Sequence, residues 1–588
     1  MVAANHVQVI ATGNVVYHLY LKNEKDRSIM EELRLKHLET DVLIVGAGGA
    51  GMRAAIEAHT MGAKILVVSK GKFPSGCVTA TAMGAMLAPF DRQDSVERHI
   101  EDTLRGGHYL NDQSLVRILV HHATQRALDL DRYGTEFDMA DGRYALFPYT
   151  GSSVPRGVLA GDRYLGGFFK GLVKEAQKLG IDILDEIMVT ELLKEGDVVS
   201  GAVGLDLKAD TVLIIKAKTV VIATGGAGNL YSLTTNIPCI TGDGYVLAFK
   251  AGAQLADMEF MQSRACMIYP EAMRGTAPPA DGCVTIGGRF YNGLCERYMR
   301  KYHPEKMELV TRAEMARCTQ REITEGRQSP HGGVFGDLSG VPPAELAKFK
   351  AFLATCAEEK FDPAWQPYEW APGAHHCMGG IVINERCETG IGGLYAAGEA
   401  EAGVHGANRL AGNALTETQV FGAIAGANAA GKALSSSDTP LSQERIAAIA
   451  SRMLQVLKRE EGSDPTEVKN EIASIMSMYV GVLRNEEGLR KAARSFLAIR
   501  SMKIDHVSVG KERSFRMLSK LLEAENTLLI AELATLAATM RKETRGAHNR
   551  EDYPQAVEEW SKNIVFQRID GKMIVKTKPV NVVSTRMI

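Results

Sequence analysis

The run Val42-Leu-Ile-Val45 followed by Gly46-Ala-Gly48-Gly49-Ala-Gly51 constrains the fold more than any other stretch. Four consecutive apolar β-formers read as a strand buried on both faces. The glycines allow a tight turn and close backbone approach, and residues 51–61 have helical composition. Lys64-Ile-Leu-Val-Val68 supplies a second buried strand. Strand, glycine turn, helix and strand form the opening unit of a doubly wound parallel sheet. A helix that starts at such a turn points backbone N–H groups and the positive end of its dipole at a pyrophosphate. Gly46, Gly48, Gly49 and Gly51 are therefore candidates for holding a dinucleotide. An NAD enzyme would end the second strand with an acid for the ribose; this chain has Ser69-Lys70.

A chain of 588 residues implies more than one core. A net charge of -2 argues against nucleic acid or an anionic membrane as partner. No apolar run reaches the roughly 18 residues of a membrane span, and no secretion signal is evident. The nine cysteines include no Cys-x-x-Cys pair or zinc spacing, which suits reduced thiols in a cytoplasmic protein. Val7–Leu21 alternates like a strand and Glu31–His37 reads as helical. Lys218-Thr-Val-Val-Ile-Ala223 is a further buried strand. Residues 256–370 have mixed periodicity with many Gly and Pro. Beyond the linker Ser435–Pro440, Ile446, Ile449, Met453 and Leu457 share a helical face, and Asp464-Pro-Thr-Glu467 is a helix start.

Several stretches together resemble the flavoprotein subunits of fumarate reductase and succinate dehydrogenase, with L-aspartate oxidase as a relative. They are Ser69-Lys70 with Phe73-Pro74, Ala223-Thr-Gly-Gly226, Thr241-Gly-Asp-Gly244, Asp257-Met-Glu259, His375 before Met378-Gly-Gly-Ile381, Ala397-Gly-Glu399, His405-Gly-Ala-Asn-Arg409-Leu, and Arg545-Gly-Ala-His548. The resemblance implies an α/β fold: a Rossmann-like FAD-binding domain with an inserted α+β capping domain and a C-terminal helical domain. On it the chain divides into an N-terminal extension (1–38), a first FAD-binding part (39–255), a capping domain (256–370), a second FAD-binding part (371–434), a helical domain (435–544) and a C-terminal segment (545–588).

The resemblance also implies FAD as cofactor. Besides the four glycines it assigns Ser69, Lys70, Thr79, Gly84, Thr224 and Gly225 to the cofactor. Asp243 and Glu399 would accept hydrogen bonds from its hydroxyls, and the backbone of Ala414 and Leu415 would face the flavin carbonyl at a helix start. Respiratory members attach FAD through a histidine; Val78 stands at that position, so the FAD is expected to be non-covalent. That departure favours alkene reduction, or oxidation of a different substrate, over succinate oxidation.

For the substrate, the resemblance assigns Arg312 to proton transfer and His375 and Arg409 to carboxylate binding. Arginine stays protonated in proteins, so an arginine acid implies an unusual setting or a relay. Arg264 stands where relatives have a histidine ligand, and is taken as a fourth catalytic candidate. The relatives' Thr-Glu pair aligns with either Ala280-Asp281 or Pro270-Glu271. The clamp on the distal end of the substrate is thus rebuilt, and the substrate is fumarate, succinate or a related enoate. His376 lies beside His375, but no third ligand stands near in the sequence and no metal is expected. The chain has no iron–sulfur or haem spacing of its own. An iron–sulfur protein subunit is the expected partner, in the cytoplasm, with any membrane association made through partner subunits. An aspartate oxidase-like amino-acid oxidase and a non-catalytic electron-transfer flavoprotein are the alternatives.

Overall fold

The computed structural model describes residues 33–82, 85–160, 167–279, 283–510 and 512–583. Its largest sheet is built around β1 (Leu35–Val45), which leads through helix α1 (Gly49–Thr60) into β2 (Ile65–Ser69). Helix α2 (Gln113–Arg132) follows, and then β3 (Asp182–Asp185), β4 (Ile187–Glu195), β5 (Val198–Asp206) and β6 (Thr211–Ile222). β1 pairs in parallel with β2 on one side and with β6 along its whole length on the other. Val42, Leu43 and Ile44 are fully buried, as a central parallel strand requires.

The helical expectation for Glu31–His37 is corrected. Residues up to 32 lie outside the described ones, the strand reading at Val7–Leu21 among them. Leu35–His37 are strand, in register with Val212–Ile214. Pairing with a strand far along the chain overrides the local helical preference.

The chain continues through α3 (Asp243–Ala251) into β7 (Met261–Tyr269), β8 (Arg289–Tyr291), α4 (Arg312–Thr324), β9 (Val334–Asp337) and β10 (Tyr368–Cys377). These four strands form an antiparallel sheet in the order β7-β10-β9-β8. Buried residues from Ala265 to Trp370 make a hydrophobic core of their own beside it. β10 runs past residue 370 to Cys377 and pairs His376 with Gln262 of β7, while a register shift in the ladder leaves His375 between the pairs.

β11 (Leu394–Ala396) then joins the C-terminal half of β6 in parallel, and α5 (Asn413–Ser435) packs on α1. That packing is close because Gly422 and Gly426 face α1: a Cβ on Gly426 would lie 2.3 Å from the carbonyl oxygen of Ala54. Helices α6 (Gln443–Leu457), α7 (Pro465–Tyr479), α8 (Glu486–Met502) and α9 (Phe515–Met540) follow. On α6 Ile446, Met453 and Leu457 are buried and Ile449 is half-buried. Asp464 caps α7 by accepting from the N–H groups of Thr466 and Glu467. The hairpin β12 (Lys562–Ile569) and β13 (Lys572–Pro579) returns to pair with Leu255–Ala256, extending a sheet that includes Gly380–Val382 and Glu401–Ala402. Among the described residues no helix is long and apolar enough to cross a membrane.

Candidate active site

One continuous cavity runs from the glycine turn after β1 to the sheet carrying His375. Gly46, Gly48 and Gly49, Ser69, Lys70, Thr79, Thr224, Gly225, Asp243, Glu399, Ala414 and Leu415 line it, as do Arg264, Arg312, His375 and Arg409. Two expected residues remain. Gly84 lies outside the described residues. Gly51 serves the turn instead of the cavity: a Cβ there would lie 1.8 Å from the Gly46 carbonyl oxygen.

Three helices begin at this cavity without a side-chain cap. Their N-caps are Gly48 for α1, Gly242 for α3 and Gly412 for α5. Gly412 has a φ of 96°, which an L-residue reaches only with strain. Helix N-termini left open toward one cavity present unpaired N–H donors and positive dipole ends. They fit a pyrophosphate near Gly48 and Gly49, and a carbonyl that gains negative charge near Ala414 and Leu415. The Gly49 N–H also donates to Thr79 Oγ1 at 3.0 Å, which fixes the turn. These residues fit FAD.

At the nucleotide end, Lys70 Nζ donates to Asp243 Oδ2 at 2.5 Å, Glu523 Oε1 at 2.8 Å and Thr241 Oγ1 at 2.6 Å. Asn526 Nδ2 donates to Asp243 Oδ1 at 2.9 Å. Burial alone would raise the Asp243 carboxyl; Lys70 beside it holds it below the ordinary value. Asp243 thus arrives with three protein partners, and α9 supplies Glu523 and Asn526 to this end of the cavity. Neither α9 residue was foreseen, because both lie more than 280 positions from Asp243 or Lys70 in sequence.

At the other end three guanidinium groups converge. Arg264 lies on β7, Arg312 is the first residue of α4, and Arg409 lies in the loop before α5. Thr311 and Glu314 form a reciprocal capping box that fixes the start of α4 under Arg312. Gln262 Oε1 accepts from Arg312 Nη1 at 3.3 Å and from Arg409 Nη2 at 3.0 Å. Gln262 Nε2 donates to Asn408 Oδ1 and to the Arg409 carbonyl oxygen, both at 2.8 Å. One buried amide thereby sets the spacing of two cations. Sequence reading missed it, although Gln262 and Arg264 are two apart on one strand and so share a face. Arg264 Nη2 donates to the Pro278 carbonyl oxygen at 3.2 Å.

His375 Nδ1 lies 2.7 Å from Thr235 Oγ1, a second unforeseen partner. Burial, and then Arg312, Arg264 and Arg409, push His375 well below its ordinary value, so it is neutral at pH 7. Burial and Arg312 bring Arg409 down to about 9. A buried set of cations that strains its own protonation is stabilised by an anion placed among them. Ala277 and Pro279, on either side of the Pro278 carbonyl that Arg264 bonds, line the cavity. Pro270 and Glu271 do not line the cavity, and Glu271 is exposed. Ala280-Asp281 lies outside the described residues.

The statement that no third ligand stands near His376 is also corrected. The fold brings His405 and Glu417 to it, with ligand atoms within 4.8 Å of one another.

Residues 41–415 match the FAD binding domain family, and residues 469–587 match the fumarate reductase flavoprotein C-terminal family. The chain is 39% identical to a subunit of the fumarate reductase (CoM/CoB) of Methanothermobacter marburgensis, over 90% of this chain and 97% of that protein. It is 31% identical to the fumarate reductase flavoprotein subunit of Escherichia coli, over 88% of this chain and 89% of that protein. A solved Escherichia coli quinol fumarate reductase variant superposes with a TM-score of 0.87 at 30% identity, covering 93% of this chain and 98% of that one.

Proposed function

The chain belongs to the fumarate reductase and succinate dehydrogenase flavoprotein family, an FAD-dependent oxidoreductase acting on CH–CH groups, and from that premise we propose that it reduces the double bond of a small dicarboxylate, fumarate first among the candidates. FAD, when bound, would supply the hydride chemistry, with its two electrons drawn one at a time from a one-electron donor. The protein supplies binding, orientation and a proton.

The observation that carries this reading is the convergence of Arg264, Arg312 and Arg409 with neutral His375 on one cavity wall. Arg409 and Arg264 grip the two carboxylates by charge-assisted hydrogen bonds. With Thr235 donating to His375 Nδ1, Nε2–H is left to donate to a carboxylate oxygen. Arg312, held against Gln262, delivers the proton to the alkene carbon that does not receive hydride. Val78 on the cavity wall cannot bond to a flavin, which supports non-covalent FAD. The match of residues 469–587 to a fumarate reductase C-terminal family supports an iron–sulfur protein as electron donor, in a cytoplasmic complex.

The test is to reduce the purified protein anaerobically and add a panel of enoates while following flavin absorbance. Rapid reoxidation by fumarate is expected. Reoxidation only by a bulkier enoate would mean that Arg264 selects another acid. Reoxidation by none of them, with peroxide formed from L-aspartate in air, would replace the reading with an amino-acid oxidase.

A further inference from the structure

A set of buried ionisable side chains that the proposed reaction has not used stands behind the substrate end of the cavity. His376 and Glu417 reach the cavity wall, while His405 and Glu401 lie behind them. All four are almost fully buried, between 1% and 4% exposed. His376 Nδ1 lies 3.4 Å from Glu399 Oε2, and its ring meets that of His405 edge-on at 5.1 Å. His405 Nε2 is 3.2 Å from Glu417 Oε2, in ion-pair range though not aligned as a hydrogen bond. Glu417 in turn contacts Glu401. Glu401 faces Asp112, the half-buried cap of α2, and exposed Asn581 bonds Asp112 in turn. The charged groups that face the set from other elements are Asp112, Glu399 and Arg409.

Two features separate this set from an ordinary buried salt bridge. His376 Nε2, His405 Nδ1, Glu417 Oε2 and both carboxyl oxygens of Glu401 have no hydrogen-bond partner. Unmet polar atoms at this depth are costly unless a moving proton or a water uses them. Moreover, Glu401 and Glu417 are two buried carboxyls in contact with no donor between them, and only a shared proton makes that contact favourable. Glu417 lies beside His405 and is held in its anionic form, while burial and the Glu417 charge push Glu401 well above the carboxylate range.

We propose that Glu401, Glu417, His405 and His376 form a proton relay from the Asp112 side of the molecule to the substrate end of the cavity, with the proton resting on Glu401. The inference rests on the alkene-reduction reading, since that reaction consumes one proton per turnover and an arginine at its end has to be refilled. The double bond gains one hydride, carrying both electrons from the cofactor, and one proton. The proton leaves the Glu401 carboxyl, passes by way of Glu417, His405 and His376 into the cavity, and restores the charge on Arg312. Glu401 regains a proton from solvent at Asp112. No further oxidant or reductant is required.

The test is Glu401→Gln in the full FAD-loaded protein. This change keeps shape and hydrogen bonding but cannot release a proton. In the resting wild type at pH 7, infrared difference spectroscopy should show the C=O stretch of a protonated carboxyl that shifts in D2O and is missing from the variant. With the enoate that reoxidises the wild type, kcat should fall at least tenfold and the solvent deuterium isotope effect should rise. Flavin content and substrate dissociation constant should stay unchanged, and Glu401→Asp should recover part of the rate. Absence of the carboxyl band, wild-type kcat and isotope effect in Glu401→Gln, or a stoichiometric metal ion lost in His405→Gln would each overturn the relay. If Glu401→Gln does not fold, His405→Gln should show the same kinetic loss with the carboxyl band retained, and unaltered kinetics would overturn the proposal. The infrared band decides the resting proton whether or not any enoate is turned over, so failure of the relay and failure of the functional reading remain distinguishable.

Discussion

Replacing Gln262 by Met tests whether the spacing of the cations, and not merely their presence, sets the rate. The substitution preserves length and burial and removes an amide that accepts from Arg312 and Arg409 and donates to Asn408 and the Arg409 backbone. A hydrogen bond to a charged group is worth about 1.5–3 kcal/mol. Of the two charged bonds, the one to Arg409 is the shorter and is expected to matter for substrate binding, while the longer one to Arg312 orients the proton donor. If the Arg312 bond acts mainly in the transition state, its loss lowers kcat by roughly 10- to 100-fold, since about 1.4 kcal/mol is tenfold. Loss of the Arg409 bond adds a rise in KM. Stopped-flow reoxidation of reduced flavin by the preferred enoate separates the two effects. Gln262→Glu is the companion variant: a carboxylate between the two guanidiniums would occupy the anion site, so it should raise KM far more than it lowers kcat. Wild-type kcat and KM in Gln262→Met, with normal flavin content, would refute the reasoning.

Four further outcomes follow from the same geometry. Arg312→Ala should abolish turnover and leave flavin content intact; loss of FAD in that variant would make Arg312 structural. Denaturation of the holoprotein should release all flavin into the supernatant, because Val78 cannot hold it, and flavin retained on the precipitate would show a covalent link elsewhere. Lys70→Met takes the paired cation from Asp243 and leaves Glu523 with Lys469 alone, and should cost about 3–5 kcal/mol in denaturant melts along with weakened FAD retention. His99, fully buried against Asn413, is lowered to about 4 by burial and then by Arg156. The unfolded chain therefore binds a proton there that the folded protein refuses between pH 6.5 and 4. Stability should fall by about 3 kcal/mol as pH drops through that window, and His99→Gln should flatten that part of the profile.

The opening βαβ unit was legible because its signals are local: a strand, a glycine turn and a helix lie within some thirty residues. The stretch Glu31–His37 was misread because its partner, β6, lies about 175 residues away, and no local pattern announces that pairing. The site divides in the same way. Arg264, Arg312, His375 and Arg409 could be gathered from their motifs and do line one cavity. Gln262 and Thr235 could not, since each acts only through the register of β7 and β10 or through a loop folded against β10. The metal argument at His376 failed for the same reason. His405 and Glu417 are distant in sequence, and adjacency on a chain says little about adjacency in a sheet-and-helix core.

The two ends of the cavity meet opposite electrostatic demands. At the nucleotide end Lys70 and Lys469 are matched against Asp243 and Glu523, a cluster balanced in charge, so side-chain charge there leaves no excess to hold a diphosphate. The uncapped starts of α1 and α3, with the positive ends of their dipoles, are the features that suit it. At the substrate end Arg264, Arg312 and Arg409 outnumber Glu399 and Glu417, and the excess sits where burial lowers Arg409. A dicarboxylate removes that excess, whereas a monocarboxylate leaves part of it. Discrimination between them therefore comes from relief of repulsion among the arginines as much as from any single hydrogen bond. It also follows that the proton that refills Arg312 cannot wait among the arginines as an extra charge, where one more positive charge is least welcome. It has to be held on a carboxyl set back from them, which is the position Glu401 occupies.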